Sequence, residues 1–186
     1  MLSIDTVRKI NLISLFLLLT PLVGAFGIQI IDSEIPCPLC LLQRVGMFGV
    51  AVGILMNLKF GIHPLHYGIS IVSALIGAAV STRQVLLHVA PKVDGSTGFG
   101  DPVLGLHLYT WALVVFLVSI FAIALLMIFM KWAKNLAEEK QVLNKIEKAV
   151  FFIFIIVALA NTIGAFLECG FSPCPDNPTH YKYLIN

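Results

Sequence analysis

Apolar residues in this chain gather into long runs separated by short polar connections, with little alternation at period two. Five runs approach or exceed the roughly 20 helical residues that a hydrocarbon core requires. They extend approximately from Ile10 to Ile31, Arg44 to Phe60, Leu65 to Val89, Leu106 to Met130 and Ala149 to Leu167. Backbone N–H and C=O groups find no water inside a bilayer, so such runs must be helical, and the weak period-two signal argues against a barrel. The pattern predicts an all-α membrane protein, a bundle of about five transmembrane helices forming one integral domain over residues 1–186.

Composition leads to the same class. Apolar residues make up 59% of the chain and charged residues 12%, with a mean hydropathy of +0.96, which would leave a soluble domain with a surface it cannot cover. The net charge of +2 says little about partners. No dense basic patch interleaved with aromatics occurs, so nucleic acid is set aside as a partner.

Where the charges fall predicts orientation, because cytoplasmic connections retain Lys and Arg. Arg8 and Lys9 precede the first run, Lys59 closes the second, and Lys131, Lys134, Lys140, Lys145 and Lys148 crowd the connection between the fourth and fifth. The alternate connections carry Asp32 and Glu34, then Lys92, Asp94 and Asp101, then Glu168, Asp176 and Lys182. This places the amino terminus in the cytoplasm and the carboxyl terminus outside. The first run is longer than the apolar core of a cleaved signal peptide, and either reading delivers the residues after it across the membrane.

The connections leave little room for a second domain, and no fixed repeat or low-complexity tract appears. Residues 131–148 are expected to form a short cytoplasmic amphipathic connector, with Leu136, Val142, Leu143 and Ile146 available for its apolar face. The external loop from Pro91 to His107 is turn-rich, with Gly95, Gly98, Gly100 and Pro102. Gly24, Gly27, Gly77, Ala78, Ala79 and Gly164 suit close helix packing, and Tyr67, Tyr109, Trp111 and Trp132 suit interfacial belts.

Four cysteines form two close pairs, Cys37 with Cys40 and Cys169 with Cys174, and the charge pattern puts both on the external face, where disulfides persist. Cys37 lies between Pro36 and Pro38, so the first pair should occupy the turn into the second helix. The partial positive charge of a helix N-terminus favours a thiolate there, and Arg44, one turn deeper than Cys40, can add to that field or snorkel to headgroups. Paired thiols at a water interface point to disulfide exchange.

Cys37-Pro-Leu-Cys40-Leu-Leu-Gln-Arg44 resembles the Cys-x-x-Cys-x-x-x-Arg signature of the DsbB-type disulfide bond formation proteins, which there follows the first transmembrane helix. Ser81-Thr82-Arg83-Gln84-Val85-Leu86-Leu87-His88 is similar to that family's segment at the outer end of the third helix. The resemblance covers roughly the first four helices. It implies a bacterial inner-membrane thiol:quinone oxidoreductase that reoxidises a periplasmic thioredoxin-fold partner, DsbA-like, and passes electrons to ubiquinone or menaquinone. By the same resemblance Cys40 meets the quinone, Cys37 is its disulfide partner, and Arg44, His88 and Arg83 are candidate quinone-site residues.

The chain departs from the family where the second redox pair usually lies, since the loop between the third and fourth helices holds no cysteine. Cys169 and Cys174, after an additional fifth helix, are the expected replacement, in an external redox tail over residues 168–186. The implied route runs from the partner to Cys169–Cys174, then to Cys37–Cys40, then to quinone, with no metal. Three other readings of the cysteines stay open: a structural disulfide in the tail, a tetrahedral zinc site built from both pairs, and a non-catalytic scaffold.

Overall fold

The computed structural model describes residues 2–31, 34–89, 100, 102–130, 142–175, 178 and 181–183. Within them the chain forms five helices: α1 Ile4–Ile31, α2 Pro38–Phe60, α3 Pro64–His88, α4 Leu108–Phe129 and α5 Lys145–Cys169. Each is long and apolar enough to cross a membrane. Beyond them the described residues contain only two isolated β-bridges. Much of the expected cytoplasmic connector and of the external loop, together with Asp32, Lys92, Asp94, Asp101, Lys131, Lys134, Lys140 and Asp176, lies outside the described residues.

Helix starts are set by capping rather than by where the apolar runs begin. α2 opens at Pro38, six residues before Arg44, because Cys37 is its N-cap and a first-turn proline needs no N–H partner. α3 opens at Pro64 in the same manner, with His63 Nδ1 accepting the N–H of Leu65 at 3.2 Å. α5 begins at Lys145 through a capping box in which Asn144 Oδ1 accepts from the Glu147 N–H and Glu147 Oε2 accepts from the Asn144 N–H. Lys145 and Lys148 therefore belong to α5, and of the apolar residues assigned to the connector, Leu143 packs on the core while Val142 and Ile146 are exposed.

The closest helix contact joins α2 and α3 through small residues. A Cβ on Gly46 would lie 3.1 Å from the Cα of Gly77, and one on Gly49 would lie 2.7 Å from the Cβ of Ser73. Further along, Gly53 faces Ser70, whose Oγ donates to the Val50 carbonyl at 2.8 Å. Without a hydrophobic drive between helices in lipid, such close backbone approach supplies the van der Waals contact that holds them. Phe116 of α4, fully buried, lies across Gly46 and Gly77 and locks the third helix of this group in place. Gly24 and Gly27 behave differently from the sequence expectation: no atom lies within 4 Å of a Cβ built on either, so they make no close helix contact.

α5 packs against α1 and α2, and polar contacts sort the two ends of the bundle. At one end Arg8 of α1 makes a two-oxygen ion pair with Glu147 of α5, at 2.7 and 2.8 Å, and reaches the Leu58 carbonyl of α2. Leu2 bridges Met130 at this same end. At the other end Arg44 of α2 meets Gln29 of α1 and Asn161 of α5, and Gln84 of α3 meets Cys37. Both cysteine pairs lie at this second end, since Cys37 begins α2 and Cys169 closes α5.

Two glycine replacements separate packing from helix propensity. Gly77→Ala drives a methyl into the Phe116 ring and should destabilise by about 1–3 kcal/mol. Gly27→Ala meets open space and should leave stability unchanged or raise it by up to about 1 kcal/mol. Thermal unfolding in detergent, followed by loss of helical circular dichroism, measures both.

Candidate active site

The first cysteine pair is built into the N-terminus of α2. Cys37 is the N-cap, and its Sγ accepts the Cys40 N–H at 3.2 Å, which brings the two sulfurs within 2.6 Å of each other. Cys37 is buried and Cys40 half-buried. Gln84 of α3, with no exposed surface, aims its carboxamide at the pair and donates through Nε2 to Cys37 Sγ at 3.2 Å and Cys40 Sγ at 3.4 Å. Its Oε1 accepts from Gln43 Nε2 at 2.8 Å, which fixes the amide's orientation.

The Cys37 thiol is held well above the ordinary thiol range, first because it keeps its proton in the hydrogen bond shared with Cys40 and second because it is buried. The charge of the reduced pair is therefore carried by Cys40. Arg44 lies within electrostatic range of both sulfurs. At 8% exposure it does not snorkel outward; Nη1 donates to Gln29 Oε1 at 2.6 Å and Asn161 Oδ1 at 3.0 Å, and Nη2 donates to the Ala25 carbonyl at 3.1 Å. Gln29 in turn donates to Tyr181 Oη at 2.8 Å, so the tail reaches Arg44 through one amide.

Beside Cys40 and Arg44 a cavity of about 230 Å³ opens between α1, α2 and α4. Its wall is mostly apolar, with Met47, Tyr109 and Trp111 opposite Gly24, which explains why that glycine has no packing neighbour. Gly100 and Val103 line one side: Trp111 Nε1 donates to the Val103 carbonyl at 2.9 Å, and the His107 ring nitrogen bonds the Gly100 carbonyl at 2.9 Å. His88 does not line the cavity. Its Nδ1 bonds the Gln84 carbonyl at 2.8 Å and its ring stacks on Tyr109 at 5.4 Å, so it backs an aromatic wall residue. Arg83 is exposed and is not among the cavity-lining residues.

The second pair is joined as a disulfide, Cys169–Cys174, with the Cα atoms 4.8 Å apart. Gly170, at φ 62°, turns the chain immediately after α5, in a region that favours glycine. Tyr183 folds back: its N–H donates to the Leu167 carbonyl at 3.1 Å and its ring stacks on Phe166 at 5.6 Å. Among the described residues no three His, Cys, Asp or Glu side chains converge as a metal site would require.

Of the residues singled out in the sequence, the structure brings Cys37, Cys40 and Arg44 together, sets His88 one ring away, and keeps Arg83 apart. Gln84, Gln43, Gln29 and Asn161 were not assigned a role from sequence. A usable signal existed for Gln84: Ser81 and Gln84, three residues apart on one face of an apolar helix, are polar groups that a membrane span carries only where they face the protein interior.

The family model described as "Disulfide bond formation protein DsbB" matches residues 7–97. Disulfide bond formation protein B of Pseudomonas syringae pv. tomato is 34% identical over 127 residues, covering 52% of this chain and 75% of that protein. Disulfide bond formation protein B 1 of Pseudomonas fluorescens is 29% identical over 134 residues, covering 55% of this chain and 78% of that protein. No solved structure gives a significant match.

The asymmetry of the dithiol predicts which sulfur reacts. A thiol whose proton is held above the ordinary range stays unreactive as pH rises through that range, because only the thiolate attacks. A short alkylation pulse between pH 7 and 9 on the reduced protein should therefore label Cys40 and leave Cys37 unmodified, as read by peptide mass spectrometry. Gln84→Leu removes the donor to both sulfurs and should slow Cys40 labelling by about tenfold, the equivalent of one hydrogen bond to a charged group.

Proposed function

Because this chain belongs to the DsbB family of disulfide bond formation proteins, we propose that it is a membrane thiol:quinone oxidoreductase reoxidising a periplasmic DsbA-like dithiol protein. The observation that carries this reading is the apolar cavity with Cys40 and the buried Arg44 on one wall. At about 230 Å³ it is smaller than the roughly 300–1,000 Å³ of pockets for drug-sized ligands and suits a single flat ring. Tyr109 and Trp111 offer faces for stacking, and Arg44 offers a cation toward a ring oxygen. Ubiquinone or menaquinone, when bound, supplies an acceptor for two electrons and two protons.

The remaining steps belong to the protein's own sulfurs. A thiolate of the reduced partner attacks Cys169–Cys174, and the partner's second thiol resolves the mixed disulfide, so the partner leaves oxidised and the tail holds a dithiol. The tail dithiol then reduces Cys37–Cys40 by the same exchange. In the reduced pair Cys37 holds its proton and Cys40 carries the charge toward the cavity, beside Arg44. Gln84 supports the anion with an uncharged donor. His88 acts by fixing the Tyr109 ring, and Arg83 has no part in this reading. The orientation follows the lysine and arginine bias, with both sulfur pairs external and the amino terminus in the cytoplasm.

A second reading of the tail has one observation in its favour: Cys169 is 6% exposed beneath a folded-back Tyr183, as suits a structural clasp. Quinone-dependent oxidation of a reduced DsbA-like protein, measured in membranes, separates the two. Cys40→Ser should abolish turnover, and Cys169→Ser and Cys174→Ser should each lower it at least about tenfold; unchanged turnover in the tail variants assigns that disulfide to structure. Arg44→Met should raise the KM for quinone by about tenfold or more, the loss of one charge-assisted hydrogen bond.

A further inference from the structure

At the dithiol end of α5, immediately before Cys169, Glu168 is 2% exposed, and neither carboxyl oxygen has a hydrogen-bond partner. A carboxylate in that condition has surrendered its hydration without replacement, which buried polar groups rarely do without a role. Among the described residues, the groups that act on it are few. From α2 both Arg44 and Cys40 act on it electrostatically. Arg44 itself senses Cys37, Cys40 and Tyr181 as well as Glu168. Around Arg44, α1 contributes the uncharged Gln29 and the tail contributes the Tyr181 phenol, and Cys169–Cys174, next to Glu168 in the chain, is a neutral disulfide. Among the described residues, one permanent cation thus acts on two groups that can be anionic, Cys40 and Glu168.

A single buried guanidinium balances one negative charge well and a second one poorly, since like charges at close quarters cannot both ionise cheaply. We propose that Glu168 is a redox-linked proton-holding residue, coupled to Cys40 through the shared counter-charge of Arg44. When Cys37 and Cys40 form a disulfide, the Glu168 carboxylate is the anion that Arg44 balances. When the pair is reduced, the Cys40 S–H bond breaks, an O–H bond forms on Glu168, and Arg44 balances the thiolate instead. No electron moves in that transfer and the net charge is unchanged. On reoxidation the two electrons of the dithiol, the Cys37 proton and the Glu168 proton leave with the two-electron acceptor, returning Glu168 to the carboxylate. The inference rests on Cys37–Cys40 being the couple reduced and reoxidised in each turnover. It gives α5 a task in the chemistry besides carrying the tail.

The test needs neither quinone nor thiol partner, so it is independent of whether the tail relays electrons. In full-length Cys169→Ser/Cys174→Ser protein the ratio of reduced to oxidised Cys37–Cys40 is followed against pH at a fixed electrode potential. With Glu168 the ratio should fall about a hundredfold per pH unit, because reduction takes up two protons, and Glu168→Gln should cut that to about tenfold, because only Cys37 then takes one up. Glu168→Asp, which keeps a titratable carboxyl, should retain the parent slope. Equal slopes with Glu and Gln, or an Asp slope that matches Gln, overturn the proposal. A second readout uses Cys169→Ser/Cys174→Ser protein with Glu168 in place: reduction of Cys37–Cys40 should bring up a protonated-carboxyl infrared band that moves on ¹³C-glutamate labelling. Absence of that band also overturns it, whatever the partner-oxidation assay shows.

Discussion

Arg44 carries a permanent charge into an apolar bundle that has no water to offer it, and much of the architecture at the dithiol end answers that demand. A guanidinium has five N–H donors in a rigid fork, and leaving them unmet in low dielectric costs several kcal/mol. Gln29 and the Ala25 carbonyl meet it from α1, and Asn161 meets it from α5. These contacts tie three helices together at the level of Cys40. They also hold the cation in place on the cavity wall.

With that charge in place, the dithiol can be asymmetric. Cys37 caps α2 and keeps its proton; Cys40, one turn along and on the cavity wall, is left as the anion beside the cation. Gln84 serves both sulfurs with one neutral carboxamide, so it supports whichever one is negative without adding a charge to the site. Behind it the close α2–α3 contact, made by Gly46, Gly49, Gly53 and Gly77, sets the distance from which a glutamine side chain reaches across. The packing of small residues and the chemistry of the sulfurs are therefore one geometric problem. A methyl group in the wrong place between these helices would move the donor away from the thiols.

α5 lies outside residues 7–97, the span that the family model matches, yet it is not an appendage. Its far end is anchored by the Arg8–Glu147 pair and the Asn144 capping box, and its near end delivers Asn161, Glu168 and Cys169 to the region around Arg44. The returning tail adds Tyr181, bonded to the same Gln29 that binds Arg44. Both cysteine pairs thus share one end of the bundle.

The sequence by itself determined the number of crossings, because lipid forces any long apolar run into a helix, and it determined the Cys37, Cys40 and Arg44 unit, because residues three and four apart on a helix are neighbours by covalent geometry. It set the Cys37–Cys40 pair in the turn into α2, where the Cys37 cap and Pro38 begin the helix, although the apolar run itself begins only at Arg44. It read Gly77 as a packing residue, which the α2–α3 contact uses, but also Gly24 and Gly27, which meet open space, and it passed over Gly46 and Gly49, because a glycine looks the same whether it faces a helix or open space. Only the tertiary structure could decide that Gln84, Gln29, Asn161 and Glu168 belong to the site. Their partners are remote in sequence, with Arg44 and Asn161 117 residues apart. Which polar side chain in an apolar helix meets which charge depends on helix rotation and approach, and these are settled by packing across the whole bundle.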